Sequence, residues 1–345
     1  MSNFNFVNLF SDLKTLNQNT KYWMVRTMSG SYYRDFLRNG YIAVGYNDIS
    51  LDTLNSLPAN DNLAKEQLKV TMKKLYETLR NISYPTSQLL RFTREIKCGD
   101  IVIIPSSGAS HVAIGIVESD VYEDTNPDID SEHKCKFYKR RDIKWKLSCR
   151  REKLPPALQL MFNSRHILSD VTNYAPYVDS VINNFYVKDN TMHMVLNIKT
   201  QKDVSFDDFF DLKAIDYLVD GFCKLYPQYA DGINPDDRIV IKVQMESPGA
   251  LRLAAKAFKR LFYFGLFTIA ITGGGVEYTS KDGTKFKLHT DGLIGAISKY
   301  LDKEADRELV KSAARAVDSL KIEAPNDMQP VLELLKTKNE GREKF

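Results

Sequence analysis

The sequence predicts an α+β protein, with a small β-barrel and flanking helices in its first half and a mixed α+β region after it. Short apolar runs with the two-residue alternation of strands are separated by runs with the spacing of helices. The composition, 43% apolar and 27% charged over 345 residues, is that of an ordinary globular chain with room for two or three domains.

The barrel is predicted from several short strands with few helices between them. Strands are expected at residues 22–26, 41–46, 100–105 and 111–117, and helices at 31–39, 60–81 and 86–95. Gly40 ends the first helix, and the polar loop Ser106–Ser110 joins the last two strands. Closely spaced short strands are typical of small barrels.

Charge segregates sharply after these strands. Residues 118–132 hold seven acids and no Lys or Arg, whereas residues 133–153 hold ten bases against Asp142 and Glu152. Two explanations stay open. The segments form a solvated hairpin whose arms neutralise each other, or the basic segment is a ridge that contacts phosphates.

The second half predicts a β-α-β unit, a hairpin and closing helices. Alternating strands at about 192–198 and 239–245 flank a helix over 205–226, whose first turn is acidic. Ser247-Pro248-Gly249 predicts a helix start, because Ser is a good cap and Pro fits the first turn. A hairpin with an Asp282-Gly283 turn follows, then helices at about 291–320, with a break, and 327–338.

The most apolar stretch runs from Leu261 to Ile271 (LFYFGLFTIAI). Eleven residues are too few for a spanning helix, which needs about 20. The pattern favours a buried helix end that leads into a core strand. An interfacial segment or a partner-binding patch is the alternative.

Several kinds of chemistry have no support in the sequence. Lys and Arg exceed Asp and Glu by only 48 to 44, so an argument for a polyanionic partner must be local. Four cysteines without a CxxC pair indicate free thiols in a reducing compartment. With no secretory signal pattern, the expected location is cytoplasmic. Five histidines in no HExxH or HxH arrangement predict no metal, and Gly273–Gly275 lacks the pattern of a phosphate loop, so no cofactor is expected.

The first half resembles a known family. The resemblance rests on five motifs, which are Tyr22-Trp23-Met24-Val25-Arg26, an apolar strand ending in Gly45, Lys97-x-Gly99-Asp100-Ile101-Val102, Gly115-Ile116-Val117 and Lys144-Trp145. Each motif is loose, but their order over about residues 21–153 resembles the EVE domain of the PUA-like superfamily. It is most similar to the version attached to restriction-type bacterial proteins.

That resemblance implies a twisted barrel that recognises modified bases swung out of a duplex. The implied pocket walls are Trp23, Tyr41, Tyr46 and Trp145, and backbone groups of the loop with Ser106 and Ser107 would bond the base edge. An extruded base gains about 1–3 kcal/mol per stacked aromatic side chain. Basic residues of the following strand are expected to touch phosphates: Lys139, Arg140, Arg141, Lys144 and Lys146. Core packing is the alternative for each aromatic.

Restriction-type relatives often carry a nuclease of the PD-(D/E)xK kind, but its motif is incomplete here. Pro235-Asp236 precedes a strand, yet Val240 stands where the acid two residues before Lys242 should be. A divalent metal needs that carboxylate. No other catalytic motif is found, so the sequence favours a protein that is not an enzyme.

Four segments are predicted: an N-terminal arm (1–20), the EVE/PUA-like domain (21–165), a connecting strand and helix region (166–235) and a C-terminal α+β domain (236–345). The expected function is nucleic-acid binding, as a reader of modified or foreign DNA bases in restriction-like or anti-phage defence. The alternative is a defence effector or scaffold acting through a membrane- or partner-binding C-terminal domain. DNA is the expected partner, with a homo-oligomer or protein partner also open, and a membrane is not expected.

Overall fold

A computed structural model describes most of the chain: residues 13–124, 134–164, 166–230, 233, 238–244, 249–256, 258–272, 277–279, 285–287, 293–301, 307–323 and 325–328. The chain divides into two compact units. The N-terminal unit is residues 19–182, and the C-terminal unit is residue 183 onward together with the residues before 19. The four segments expected from the sequence stay a prediction.

The N-terminal unit is a curled sheet with helices. Its strands are β1 (Tyr22–Val25), β2 (Tyr41–Val44), β3 (Ile101–Pro105), β4 (His111–Val117), β5 (Tyr122–Glu123), β6 (Lys139–Arg150) and β7 (Leu168–Asp170). Its helices are α1 (Tyr33–Asn39), α2 (Leu51–Asn55), α3 (Asp61–Leu75), α4 (Ser83–Leu90, extended by a π-turn Arg91–Glu95), α5 (Pro156–Gln159) and α6 (Ala175–Ile182). The elements expected from the sequence in this unit are present, with shifted ends.

The sheet is an open half-barrel. Its order is β2-β6-β4-β3-β1-β7, and β5 pairs with β6. The end strands β2 and β7 are not paired with each other in the described part, so the small β-barrel expected from the sequence is a half-barrel in the structure. Both faces of β1 are covered: Trp23 and Val25 belong to one apolar core, Tyr22 and Met24 to the other. The period-two alternation of a strand puts these pairs on opposite faces.

Two basic residues at the start of β6 are buried, which corrects their expected role as phosphate contacts. The Lys139 ammonium donates to Tyr46 O at 2.9 Å and to Ile49 O at 2.8 Å, and the residue has no exposed surface. Arg141 is 1% exposed. Its guanidinium donates to Phe92 O and Thr93 O, at 3.0 Å each, and to Ser119 O at 3.1 Å.

These bonds have a structural purpose. Phe92 and Thr93 lie in the π-turn that ends α4, where carbonyl groups lack partners within the helix and carry the negative end of its dipole. Arg141 satisfies them. Lys139 fixes the turn after β2, where Tyr46 has a φ of 64°. A sequence shows that β6 is basic, but not that these side chains point inward to carbonyl groups.

The C-terminal unit packs helices on a second sheet. Its strands are β8 (Phe185–Lys188), β9 (Thr191–Ile198), β10 (Val240–Gln244), β11 (Gly249–Ala255), β12 (Glu277–Thr279), β13 (Lys285–Lys287) and β14 (Ile322–Glu323). Its helices are α7 (Phe206–Leu225), α8 (Pro227–Ala230), α9 (Phe258–Ile271), α10 (Leu293–Leu301) and α11 (Arg307–Leu320). The main sheet has the order β10-β11-β9-β14, with β8 on β9, and β12 pairs with β13 as the predicted hairpin.

Strand β11 corrects two expectations. Gly249 begins a strand and not a helix, because Leu251, Leu253 and Ala255 are buried in alternation. In the sheet, β11 also lies between the two strands of the expected β-α-β unit. It pairs antiparallel with both β9 and β10, so these two strands run parallel but are not neighbours.

The apolar stretch from Leu261 to Ile271 is a core helix along its whole described length. It lies within α9, and all residues from Arg260 to Ile269 are buried. The expected passage into a core strand is therefore wrong, whereas the expected burial is confirmed. The described part of the chain has no helix with the length and hydropathy needed to cross a membrane.

Some sequence expectations lie outside the described residues. They are most of the arm (1–12), the rest of the acidic segment (125–132), Pro235-Asp236, Ser247-Pro248, Gly273–Gly275, the hairpin turn and residues 329–338.

Lys139 predicts a specific pH dependence of stability. Burial lowers its pKa from 10.5 to about 8, an effect that the charges of Glu123 and Asp48 partly offset. Between pH 8 and about 10.4 the unfolded chain holds this proton while the folded chain has released it, so the free energy of unfolding rises with pH. We expect urea unfolding to show that the free energy of unfolding of the wild type rises between pH 8 and about 10.4 relative to that of Lys139→Met.

Lys144→Met is the matched control, since Lys144 lies on the same strand with its side chain 61% exposed. It should retain the rise. A wild type whose stability relative to Lys139→Met stays constant or falls over this interval would contradict the assignment.

Candidate nucleic-acid interface

The pairing of β1 with β3 brings two loops to one edge of the half-barrel. The strands are parallel neighbours, so they end at the same edge, and residues 26–32 after β1 lie beside residues 106–110 after β3. The buried hydroxyl of Thr27 donates to Pro105 O at 2.6 Å and joins the two loops. Open sheets commonly bind ligands at the carboxyl ends of parallel strands.

A cavity of about 420 Å³ lies between these loops, within the usual size range of ligand sites. The loop after β1 contributes Arg26, Ser29 and Gly30, and the segment after β6 contributes Arg151 and Phe162. The loop after β3 contributes Ser106 and Ser107, the residues expected to contact the edge of a base. The cavity therefore draws on three segments distant in sequence.

The two loops approach each other closely because residue 30 is glycine. A Cβ atom there would lie 2.1 Å from Ser107 N, and Gly30 has a φ of +98°. Strain surrounds the same point. Met28, Ser29 and Ala109 all have a positive φ, a conformation that costs a non-glycine residue about 1–2 kcal/mol. Strained backbone of this kind clusters at ligand sites.

Two arginines of the wall are held by the same residue, Phe162. Arg26 Nη2 donates to Phe162 O at 2.6 Å and to Ser164 O. The Arg151 guanidinium lies 5.1 Å from the centre of the Phe162 ring, where a cation–π contact is favourable. Arg151 also donates to the side chain and to the carbonyl of Gln159. Both guanidinium groups are thus fixed in position.

In the described part of the chain, these two charges have no carboxylate partner. Among the described residues, neither Arg26 nor Arg151 forms an ion pair, and the described lining of the cavity includes no Asp or Glu. Burial lowers the pKa of Arg26 from its ordinary value, since removing water disfavours the charged form. An anion in the cavity would compensate both charges.

Trp23 is a core residue, which corrects its expected place in a base pocket. It has no exposed surface, and its Nε1 donates to Asp100 Oδ2 at 2.9 Å. The same carboxylate accepts N–H bonds from Lys21, at 3.0 Å, and Lys97, at 2.9 Å. The Asp100 carboxylate of the Lys97-x-Gly99-Asp100 motif thus holds the start of β1 in place through hydrogen bonds.

Tyr41 is also internal. It is 5% exposed, its hydroxyl donates to Asp35, and the Arg140 guanidinium covers its ring at 4.3 Å. Burial, followed by the bond to Asp35, raises its pKa. No flat face is left for a base, so the expectation is corrected here as well.

The remaining predicted aromatics are half-buried. Trp145 donates from Nε1 to Phe36 O at 3.0 Å, and Tyr46 packs edge-on against Tyr76. Neither lines the cavity with Ser106 and Ser107. Their role in binding stays a prediction.

Exposed bases lie further along β6. Lys144 and Lys146 are exposed, as expected, and Arg150 continues this side up to Arg151 of the cavity. Arg140 is 12% exposed and pairs with Asp124. The pair joins the acidic segment to the basic strand, as the hairpin explanation of the charge pattern requires.

Sequence reasoning missed Arg26 and Arg151. Arg26 directly follows a fully apolar strand, a position where polar side chains reach a sheet edge, but its significance depends on the parallel pairing of β1 with β3. Within the described residues, no group of three or more His, Cys, Asp or Glu could hold a metal.

Gly30 gives a test of the close approach between the loops. We expect Gly30→Ala to cost about 1–3 kcal/mol more than Gly99→Ala, the range typical of overpacking. Both glycines have a positive φ, but a Cβ at Gly99 meets nothing within 4 Å. Urea unfolding of the two variants makes the comparison, and equal losses of stability would contradict the close approach of Gly30 to Ser107.

Comparisons with known proteins match the same unit. Residues 21–169 match the model of a family described as Domain of unknown function (DUF8426), not that of an EVE domain. No curated protein matches the chain. Among solved structures, the chain is similar to the YTH domain of the Zygosaccharomyces rouxii MRB1 protein in complex with N6-methyladenosine RNA. The identity is 12%, with 49% of this chain and 89% of that chain covered, and the TM-score is 0.24. A TM-score this low assigns neither fold nor ligand.

Proposed function

We propose that the N-terminal unit binds nucleic acid, with the cavity between the β1 and β3 loops as its specific contact. The observation that carries the proposal is the pair of fixed guanidinium groups, Arg26 and Arg151, at a cavity whose described lining has no carboxylate. Arginine groups held in place recognise phosphate-bearing ligands well.

Exposed bases along β6 and just after it supply the less specific part of the binding. Lys144, Lys146, Arg150 and Lys153 are all exposed, and a strand that neutralises phosphates gains affinity by releasing counterions. Two buried residues of the expected set, Lys139 and Arg141, are left out, because their charges are bonded to backbone carbonyls. The interface therefore uses the later half of β6 and the residues after it.

A finer form of the proposal is a reader of modified or foreign DNA bases in a restriction-like or anti-phage system. Its support is the sequence resemblance to EVE domains and the position of Ser106 and Ser107 on the cavity. With Trp23 and Tyr41 in the core, the predicted aromatics left for stacking are the half-buried Tyr46 and Trp145, and neither of them lines this cavity.

The partner-binding alternative stays a hypothesis, and Leu261 to Ile271 does not supply its surface, because this helix is core. The C-terminal unit does expose large apolar side chains at another helix. Phe206 is 75% exposed and Phe210 is 60% exposed at the start of α7.

Salt-titrated binding of a labelled oligonucleotide tests the proposal. For duplex DNA, each phosphate contact contributes about 0.9 to the slope of log affinity against log salt. We expect Lys144→Ala and Lys146→Ala each to lower the slope by about that amount, and Arg151→Gln to weaken binding further.

Lys73→Ala is the control, since Lys73 is an exposed lysine of α3 outside this strand. It should leave the slope unchanged. The proposal fails if neither single-stranded nor duplex DNA or RNA binds at low salt, or if the β6 variants behave like the control.

A further inference from the structure

The two charged side chains in the described lining of the cavity, Arg26 and Arg151, can only donate hydrogen bonds. The protein bonds of Arg26 use Nη2, so Nε and Nη1 have no acceptor among the described residues. Arg151 uses Nε and Nη2 on Gln159, which leaves Nη1. The hydroxyls of Ser29 and Ser107 likewise have no side-chain bond in the described part of the chain.

A base is a poor match for this lining. Base edges carry donors as well as acceptors but no charge, whereas the described lining holds two guanidinium groups and no carboxylate, so a base would leave both charges without a counterion. The aromatic ring of the wall, Phe162, is 6% exposed, and the Arg151 guanidinium lies over it. A stacked base would have to displace that guanidinium.

A terminal phosphate matches it well. A phosphate monoester carries about −1.5 to −2 charges at pH 7 and three acceptor oxygens, with no donor in its doubly ionised form. Two fixed guanidinium groups balance that charge, and the hydroxyls of Ser29 and Ser107 add two donors. An internal phosphate carries a single charge and leaves one arginine uncompensated.

We propose that this cavity binds the terminal phosphate of a nucleotide or of a nucleic-acid strand, and that the base lies outside it. The volume of about 420 Å³ exceeds that of a phosphate group and leaves room for the attached sugar. The inference rests on the proposed function, and it replaces recognition of a base in this cavity by recognition of a strand end.

The experiment uses the full chain and compares ligands with and without a terminal phosphate. Calorimetric titrations compare AMP, adenosine and inorganic phosphate. Anisotropy titrations compare one labelled oligonucleotide with a 5′-phosphate, with a 3′-phosphate or with hydroxyls at both ends.

We expect AMP to bind at least tenfold more tightly than adenosine, and one phosphorylated end to bind at least tenfold more tightly than the hydroxyl end. This follows because a hydrogen bond to a charged group contributes roughly tenfold to hundredfold in affinity. Binding of AMP without a preference among strand ends identifies the free nucleotide as the ligand and supports the phosphate assignment.

Variants separate binding from folding. Arg151→Gln and Ser107→Ala should each remove most of the phosphate preference, and Ser107 is exposed, so its replacement should leave unfolding curves unchanged. Arg80→Gln, an exposed arginine outside the cavity, should keep the preference.

Two results would overturn the assignment. One is equal binding of AMP and adenosine together with equal binding of all three oligonucleotide ends. The other is a phosphate preference that survives both Arg151→Gln and Ser107→Ala. If oligonucleotides still bind in a salt-dependent way, the proposed function stands while the phosphate site fails. If AMP binds but no oligonucleotide does, the phosphate site stands while the proposed nucleic-acid binding fails.

Discussion

The carboxylate of Asp100 is the interaction on which the N-terminal unit depends. It is 5% exposed and accepts N–H bonds from the backbone of Lys21 and Lys97 and from the indole of Trp23. A buried carboxylate is costly without such bonds. With them, it fixes the start of β1 beside β3 in parallel. That pairing brings together two of the three segments that line the cavity, because it makes the loops after β1 and β3 leave the sheet at one edge.

The cavity combines strain with rigid support. Three non-glycine residues adopt left-handed backbone angles around it, while Gly30 permits contact with the turn at Ser107. Phe162 holds both arginines, one through its carbonyl and one through its ring. Fixing the guanidinium groups beforehand lowers the entropy cost of binding an anion. Among the described residues no carboxylate pairs with either guanidinium group, an arrangement that favours an anionic ligand.

The sequence predicts local structure well and side-chain direction poorly. Alternation and helical spacing locate most strands and helices, but Ser247-Pro248-Gly249 predicts a helix start where the structure begins strand β11. Burial of Trp23 and Arg141 depends on partners far along the chain, Asp100 and Phe92, so no local pattern reveals it. Arg26 is similar, since its position matters only once β1 and β3 are paired.

The most direct test follows the side-chain Nε–H signals of Arg26 and Arg151 by NMR during addition of AMP. The account predicts that both signals shift together and saturate at one affinity, because one phosphate contacts both groups, while the signal of exposed Arg80 stays fixed. Shifts of all three signals in proportion, without saturation, would mean that the cavity attracts anions no more than the rest of the surface does, and would contradict the account.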